Sequence, residues 1–183
     1  AEMDMLIVIG LPVRVGGTLY NCAAFLHKGA ILGMIPKRNI PNYTEFYELR
    51  HFTEADDDTE EYLEWEGKEF SIDPNQIFCC TDMPDFAVSA EICEDLWVPN
   101  PPSSDLATAG ATILFNLSAS DEIIGKAAYR RNLVCMQSGR GLCGYIYCDA
   151  GQGESSTDLV FAGHNVIAEN GTLLAQSPRF TTG

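Results

Sequence analysis

Positive charge is what this chain has least of. Eleven Lys and Arg stand against 26 Asp and Glu, a formal net charge of −15, which argues against nucleic-acid binding through general electrostatic attraction. Long apolar runs are also missing: none approaches the ~20 residues that a bilayer-spanning helix needs, so no membrane partner is expected. No basic-then-apolar start with a cleavage site is present, and no secretory signal is expected. The seven cysteines (Cys22, Cys79, Cys80, Cys93, Cys135, Cys143 and Cys148) are odd in number and include no C-x-x-C pair with zinc spacing, so no metal is expected. Most lie in apolar stretches, as reduced, buried thiols do, which points to a cytoplasmic setting. Sequons at Asn42, Asn116 and Asn170 are then incidental. Histidine is scarce as well: His27, His51 and His164 have no spacing that points to a cysteine, and a Cys–His pair is not expected.

What is present fits one globular domain, 46% hydrophobic and 20% charged over 183 residues. Eight acids crowd into Glu54–Glu66. Such runs read as a solvated loop or surface helix, and this one lacks the ligand spacing and central glycine of an EF-hand. Met5–Gly10 reads as a buried strand stopped by Pro12. "LYNCAAFLHKGAILGMIPK" reads as a hairpin turning at Lys28-Gly29, and "TEFYELRHF" as a short helical segment. "QIFCC", "FAVSAEIC" and "ATILFNLS" are further strands. Pro101-Pro102 suits a helix start and Gly110 a stop. From Asp121 to Ser138 the positions Ile124, Ala127, Ala128, Val134 and Cys135 recur at helical spacing, with Asp121 as N-cap. The remainder is strand-rich, with Asn170-Gly171 as a hairpin turn. Alternating elements early and strands late predict an α/β fold.

Two strand-terminal residues stand out as chemistry. Cys93 ends "FAVSAEIC", where a side chain can be exposed as a nucleophile, although the adjacent Glu94 and Asp95 would disfavour a thiolate. Lys37 ends "AILGMIPK". If the two strands lie near each other, its cation lowers the thiol pKa and stabilises an oxyanion. By residue type alone, the chain is an α/β domain with a candidate thiol site.

"GLPVRVGGTLYNCAAFLHKGAILGMIPKRNIPNYTEFYELRHF", "AEICEDLWVPNPPSS", "NLSASDEIIGKAAYRRNLVCMQS" and "YCDAGQGESSTDLVFAGHNVIAENG" resemble the glutaminase domain of the glutamine-dependent NAD synthetases. That domain is a branch of the nitrilase (carbon–nitrogen hydrolase) superfamily, and the resemblance covers essentially the whole chain. It implies a four-layer α-β-β-α sandwich and a Glu-Lys-Cys triad. Cys93 falls on the nucleophile and Lys37 on the lysine that supports the tetrahedral intermediate. Glu45 falls on an auxiliary glutamate near that lysine, and Glu48 on a carboxylate able to hold the substrate's amino group. Tyr43, Trp97, Ser120 and Lys126 match positions lining the glutamine pocket. The other cysteines are read as packing.

The family's base glutamate precedes the "LIVIGLP" strand, and Glu2 is too close to that strand to be it. The resemblance therefore implies a fragment, weak or inactive as a glutaminase. "GQGESS" lacks the G-x-x-x-x-G-K-[ST] phosphate cradle, so ATP and Mg belong to a synthetase domain outside these residues. Expected partners are glutamine, that synthetase domain and further copies of the chain. A stand-alone amidase acting on a small amide, and an inactive interaction module, are the rival readings.

Overall fold

A computed structural model describes residues 4–154 and 158–181. Glu2 and the Ser155–Thr157 portion of "GESSTDLVFAGH" lie outside the described residues. Eleven strands form two sheets among the described residues. The first holds β1 (Leu6–Val15), β2 (Thr18–His27), β3 (Ala30–Pro36), β4 (Glu61–Trp65) and β5 (Lys68–Ile72), in the order β1-β2-β3-β5-β4. The second holds β6 (Phe78–Cys80), β7 (Met83–Ile92), β8 (Ile113–Ser118), β9 (Gly144–Asp149), β10 (Val166–Glu169) and β11 (Thr172–Gln176), in the order β11-β10-β9-β8-β7-β6. Strands β7, β8 and β9 run parallel, and their C-terminal ends are where open α/β sheets present ligand sites.

Period-two alternation sets the layers. Val88, Ala90 and Ile92 of β7 point at the first sheet and pack with Ala23, Phe25 and Ile35. Phe25 stacks on Phe78 at 4.2 Å between ring centroids and meets Phe115 edge-on at 6.2 Å. The other face of the second sheet carries helices α1 (Pro102–Thr108) and α2 (Lys126–Gly141) over Leu114, Tyr145, Tyr147 and Val166. A helix–sheet–sheet stack results, the mixed α/β fold expected, and no α-helix among the described residues lies on the outer face of the first sheet.

Three hairpins turn through two consecutive residues of positive φ: Lys28-Gly29, Glu66-Gly67 and Asn170-Gly171. That is the type I′ geometry whose twist matches the flanking strands. The last turn also seats α2: Gly171 N–H donates to Ser138 Oγ at 3.0 Å, and a Cβ at Gly139 would come within 3.1 Å of Gly171 Cα.

Several expectations need correction. Pro12 does not stop β1, which continues to Val15; β1 is an edge strand, where a residue without an N–H is tolerated. The "TEFYELRHF" segment is helical only over a 3-10 turn, Glu48–Arg50. The acidic run is neither loop nor helix throughout. After a turn closed by Thr59 and Asp56, its second half is β4, the other edge of the first sheet, where charged side chains discourage pairing with another chain.

Helix α2 begins only at Lys126, with Gly125 (φ 88°) as its cap in place of Asp121. Its buried face is Arg130, Val134, Gln137 and Ser138, while Ile124 is fully exposed. The helix therefore meets the sheet through hydrogen bonds as much as through apolar contact. All seven cysteines are free, but Cys79 and Cys148 are exposed and are not packing residues. Asn116, a nominal sequon, is fully buried. No helix among the described residues is long and apolar enough to cross a membrane.

Candidate active site

Strand β7 ends at Ile92, and Cys93 opens a 3-10 turn, Cys93–Leu96, with φ at +49°. A left-handed backbone is unfavourable for a residue with a side chain, and it persists where surrounding structure over-determines it. Here two polar side chains do so. Cys93 N–H donates to Asn116 Oδ1 at 3.2 Å. Asp95, buried, accepts from Ile92 N–H at 2.9 Å, and from Asn39 N–H and Nδ2 at 2.8 and 2.9 Å. Asn39 lies two residues past Lys37, so this one carboxylate ties the end of β7 to the end of β3.

That arrangement answers the concern raised by "CED". Asp95 is turned onto backbone and amide donors, and Glu94 reaches out to Tyr43, whose hydroxyl donates to it at 2.9 Å. Burial pushes the Cys93 thiol pKa up, while Lys37, the Ser118 hydroxyl and the Ala119 N–H favour the thiolate and Glu48 opposes it. Lys37 is 1% exposed and within electrostatic reach of the thiol, as expected if β3 and β7 end side by side. A lysine so deeply buried needs a partner, and Lys37 Nζ donates to Glu48 Oε2 at 2.8 Å.

The two glutamates thus occupy places different from those expected. Among the described residues, Glu48 is the carboxylate ion-paired with Lys37, which leaves it poorly placed to hold a substrate amino group. Glu45 instead faces the pocket beside Asp121 and Lys126, and its pKa is held low chiefly by the Thr44 hydroxyl. The physical reason is the 3-10 turn at Glu48–Arg50, which aims Glu48 inward.

A cavity of about 240 Å³ opens over Cys93. Tyr43, Trp97, Ser120 and Lys126 line it, as the sequence reading placed them, and Glu45 joins them. Trp97 stacks on Tyr129 (5.6 Å, 17° between planes), with Lys126 Nζ 5.3 Å from the Trp97 ring. Lys126 is ion-paired with Asp121. Ser120 is fixed from below: its N–H donates to Asp149 Oδ1 at 3.0 Å, and Arg130 Nη2 lies 3.4 Å from its Oγ. Arg130 is itself fully buried, bonded to Glu122 at 2.9 Å and to His164 Nδ1 at 3.1 Å.

Sequence reasoning missed Asp121 as a pocket wall, and it missed Asn39, Asp95 and Asn116 as supports of the elbow. No spacing announces the bonds from Asn39 to Asp95 and from Cys93 to Asn116, which join residues 56 and 23 positions apart. None of the three histidines serves Cys93: His27 pairs with the exposed Asp4, His51 is exposed, and His164 is buried on Arg130 and Gln176. A larger cavity, about 330 Å³ between α2 and Gln176–Arg179, contains no cysteine. Among the described residues no cluster of metal-ligating side chains occurs.

A buried thiol beside a buried cation, under a pocket with both charge signs, is suited to acyl transfer from an amide. The carbon–nitrogen hydrolase family model matches residues 1–183. The glutamine-dependent NAD(+) synthetase of Mycobacterium tuberculosis is 43% identical over 183 residues, covering 100% of this chain and 27% of that protein. The mouse protein of the same description is 32% identical over 186 residues, covering 97% of this chain and 25% of its own length. The crystal structure of a glutamine-dependent NAD(+) synthetase from Cytophaga hutchinsonii superposes with a TM-score of 0.84 at 28% identity, covering 97% of this chain and 28% of that one. This chain thus spans about a quarter of the length of these relatives, and by the match along its whole length it belongs to the carbon–nitrogen hydrolase family.

Proposed function

We propose that the domain hydrolyses the side-chain amide of glutamine through a Cys93 thioester and that its ammonia serves NAD synthesis in a longer protein. The observation that carries this reading is the meeting of Cys93 with the buried Lys37, ion-paired to Glu48, beneath a pocket lined by Lys126, Asp121 and Glu94. The thiolate attacks the amide carbon, and the developing oxyanion is stabilised by the nearby cation. The C–N bond then breaks, with the proton lost by the thiol passing through a base to the departing nitrogen. Ammonia leaves, and Cys93 holds a glutamyl thioester. Water attacks that thioester, expels the thiolate and yields glutamate.

The pocket chemistry favours an amino acid over a small neutral amide, the amidase alternative. Lys126 suits an α-carboxylate, and Asp121 or Glu94 an α-ammonium. A small uncharged amide would engage neither the Lys126–Asp121 pair nor Glu94. Glu48 is taken up by its ion pair with Lys37. These 183 residues alone are therefore expected to turn glutamine over weakly or not at all. ATP, Mg and nicotinic acid adenine dinucleotide would bind a separate synthetase domain, in the cytoplasm, and association with further copies of the chain is part of the same reading.

The test is ammonia release from glutamine by a full-length protein carrying this domain. Cys93→Ser should abolish it while leaving synthesis from added ammonia intact. Equal loss of both activities would refute the assignment, as would robust glutamine turnover by the 183 residues alone for the claim that they are insufficient.

A further inference from the structure

Cys93 has one more polar neighbour, which the sequence reading leaves without a role. Ser118 is the last residue of β8, and β7 and β8 run parallel with Ile92 opposite Leu117. Ser118 therefore stands level with Cys93, and its hydroxyl and the next N–H, at Ala119, act on the sulfur. Behind Ser118 lies Tyr147 on β9, fully buried, whose O–H donates to Ser118 Oγ at 2.7 Å. Burial keeps the Tyr147 phenol protonated far above neutral pH, so its O–H remains available to donate to Ser118. The Arg130 guanidinium lies 6.0 Å from the Tyr147 ring centroid.

A hydroxyl offers one proton and two lone pairs. With Tyr147 donating into one lone pair, the serine proton points away from the tyrosine, and the register puts the Cys93 sulfur beside Ser118. We propose that Tyr147 and Ser118 form a hydrogen-bond relay ending on Cys93 Sγ, in which Ser118 holds the sulfur as thiolate and Tyr147 fixes the direction of the serine hydroxyl. The proposal rests on the reading of Cys93 as nucleophile. Both hydroxyls keep their protons throughout. The thiolate occurs twice in the proposed cycle, before attack and on expulsion from the thioester, and a charge-assisted bond in a water-poor site favours it each time. Tyr147 acts through Ser118 and is a positioning residue.

The pH profile of Cys93 alkylation by iodoacetamide, followed on the Cys93 peptide by mass spectrometry, tests the relay. The other titratable groups facing the sulfur are Lys37 and Glu48 from the first-sheet side and Tyr43 at the pocket mouth, and they are unchanged in the variants. Ser118→Ala should move the midpoint up by about one pH unit and slow alkylation about tenfold below it. Tyr147→Phe should move it the same way by less, because the serine hydroxyl remains but loses its direction. Ser118→Thr should restore the wild-type midpoint. The double variant should shift no further than Ser118→Ala alone, because the tyrosine has no other path to the sulfur.

An unmoved midpoint in Ser118→Ala, or additive shifts in the double variant, would overturn the relay. If Ser118→Ala does not fold, Ser118→Thr and Tyr147→Phe carry the test, and a Tyr147→Phe midpoint equal to wild type overturns it. Failure of Cys93 to react at any pH would remove the nucleophile reading and the relay with it. A reactive Cys93 indifferent to Ser118 removes the relay alone.

Discussion

On the face of the six-stranded sheet that meets the first sheet, Val88, Ala90 and Ile92 bury apolar surface against Ala23, Phe25 and Ile35. On the face that meets the helices, the alternate residues of the same strand are Ser89 and Glu91. Their neighbours there are Asn116, Tyr145, Tyr147 and Gln137, all buried. Glu91 accepts from the Tyr145 hydroxyl and from Ser103 N–H at 2.8 Å, while Gln137 Nε2 donates to Ser103 Oγ at 2.9 Å. The first face is non-directional and contributes stability wherever volume is filled. The second fixes orientation, because each buried polar group must meet a partner at set distance and angle. Cys93 sits at the edge shared by the two faces, its chain position fixed by one and its backbone turn by the other.

The comparison predicts separable losses. The largest is chemical: Lys37→Met, which leaves Glu48 without its cation and the oxyanion without support, should lower glutamine turnover of the full-length protein by about 10²-fold or more, with the fold retained by circular dichroism. Next, on the apolar face, Phe25→Ala should lower unfolding free energy by about 3–5 kcal/mol in denaturant titration while leaving the alkylation midpoint of Cys93 where it was. A moved midpoint would show that the two faces are not separable.

On the polar face, burial raises the Glu91 pKa from 4.5 to about 7. Folding thus favours protonated Glu91, whose contribution is fully present below about pH 4.5 and is lost as pH rises through 7. The loss is of order 3 kcal/mol. Glu91→Gln, which keeps an acceptor for Tyr145, should flatten that part of the stability–pH curve, and an unchanged curve would contradict the role given to burial. The smallest effect should come from outside both faces: Glu64→Lys on the exposed β4 edge should change stability by no more than about 0.5 kcal/mol.

The difference between the faces also explains what was legible in the sequence. Strands β2, β3, β7 and β8, the hairpin turns at Lys28-Gly29 and Asn170-Gly171, and the start of α1 at Pro102 follow from local pattern and turn chemistry, and they are where the sequence places them. The candidate site was legible as two strand-terminal residues, Cys93 and Lys37, and their convergence depended on a packing that periodicity alone could not establish. Asp95 was misjudged because its effect on the thiol depends on where it points, and that direction is set by Asn39, 56 residues away. Asp121 was mistaken for a helix cap because "SDEIIGK" has the right residue types, but Gly125 and the Lys126 ion pair claim those roles. The exchanged places of Glu45 and Glu48 have the same origin, a 3-10 turn that no side-chain spacing announces.

The central claim is that Cys93 is a nucleophile selected for glutamine. Its most direct test is labelling of the full-length protein with a glutamine-like diazo-ketone, with the adduct located by peptide mass spectrometry and glutamine added as competitor. The account predicts one adduct, on Cys93, lost in Lys37→Met and suppressed by glutamine. Labelling spread over the exposed Cys79 and Cys148, or an unlabelled Cys93, would contradict it.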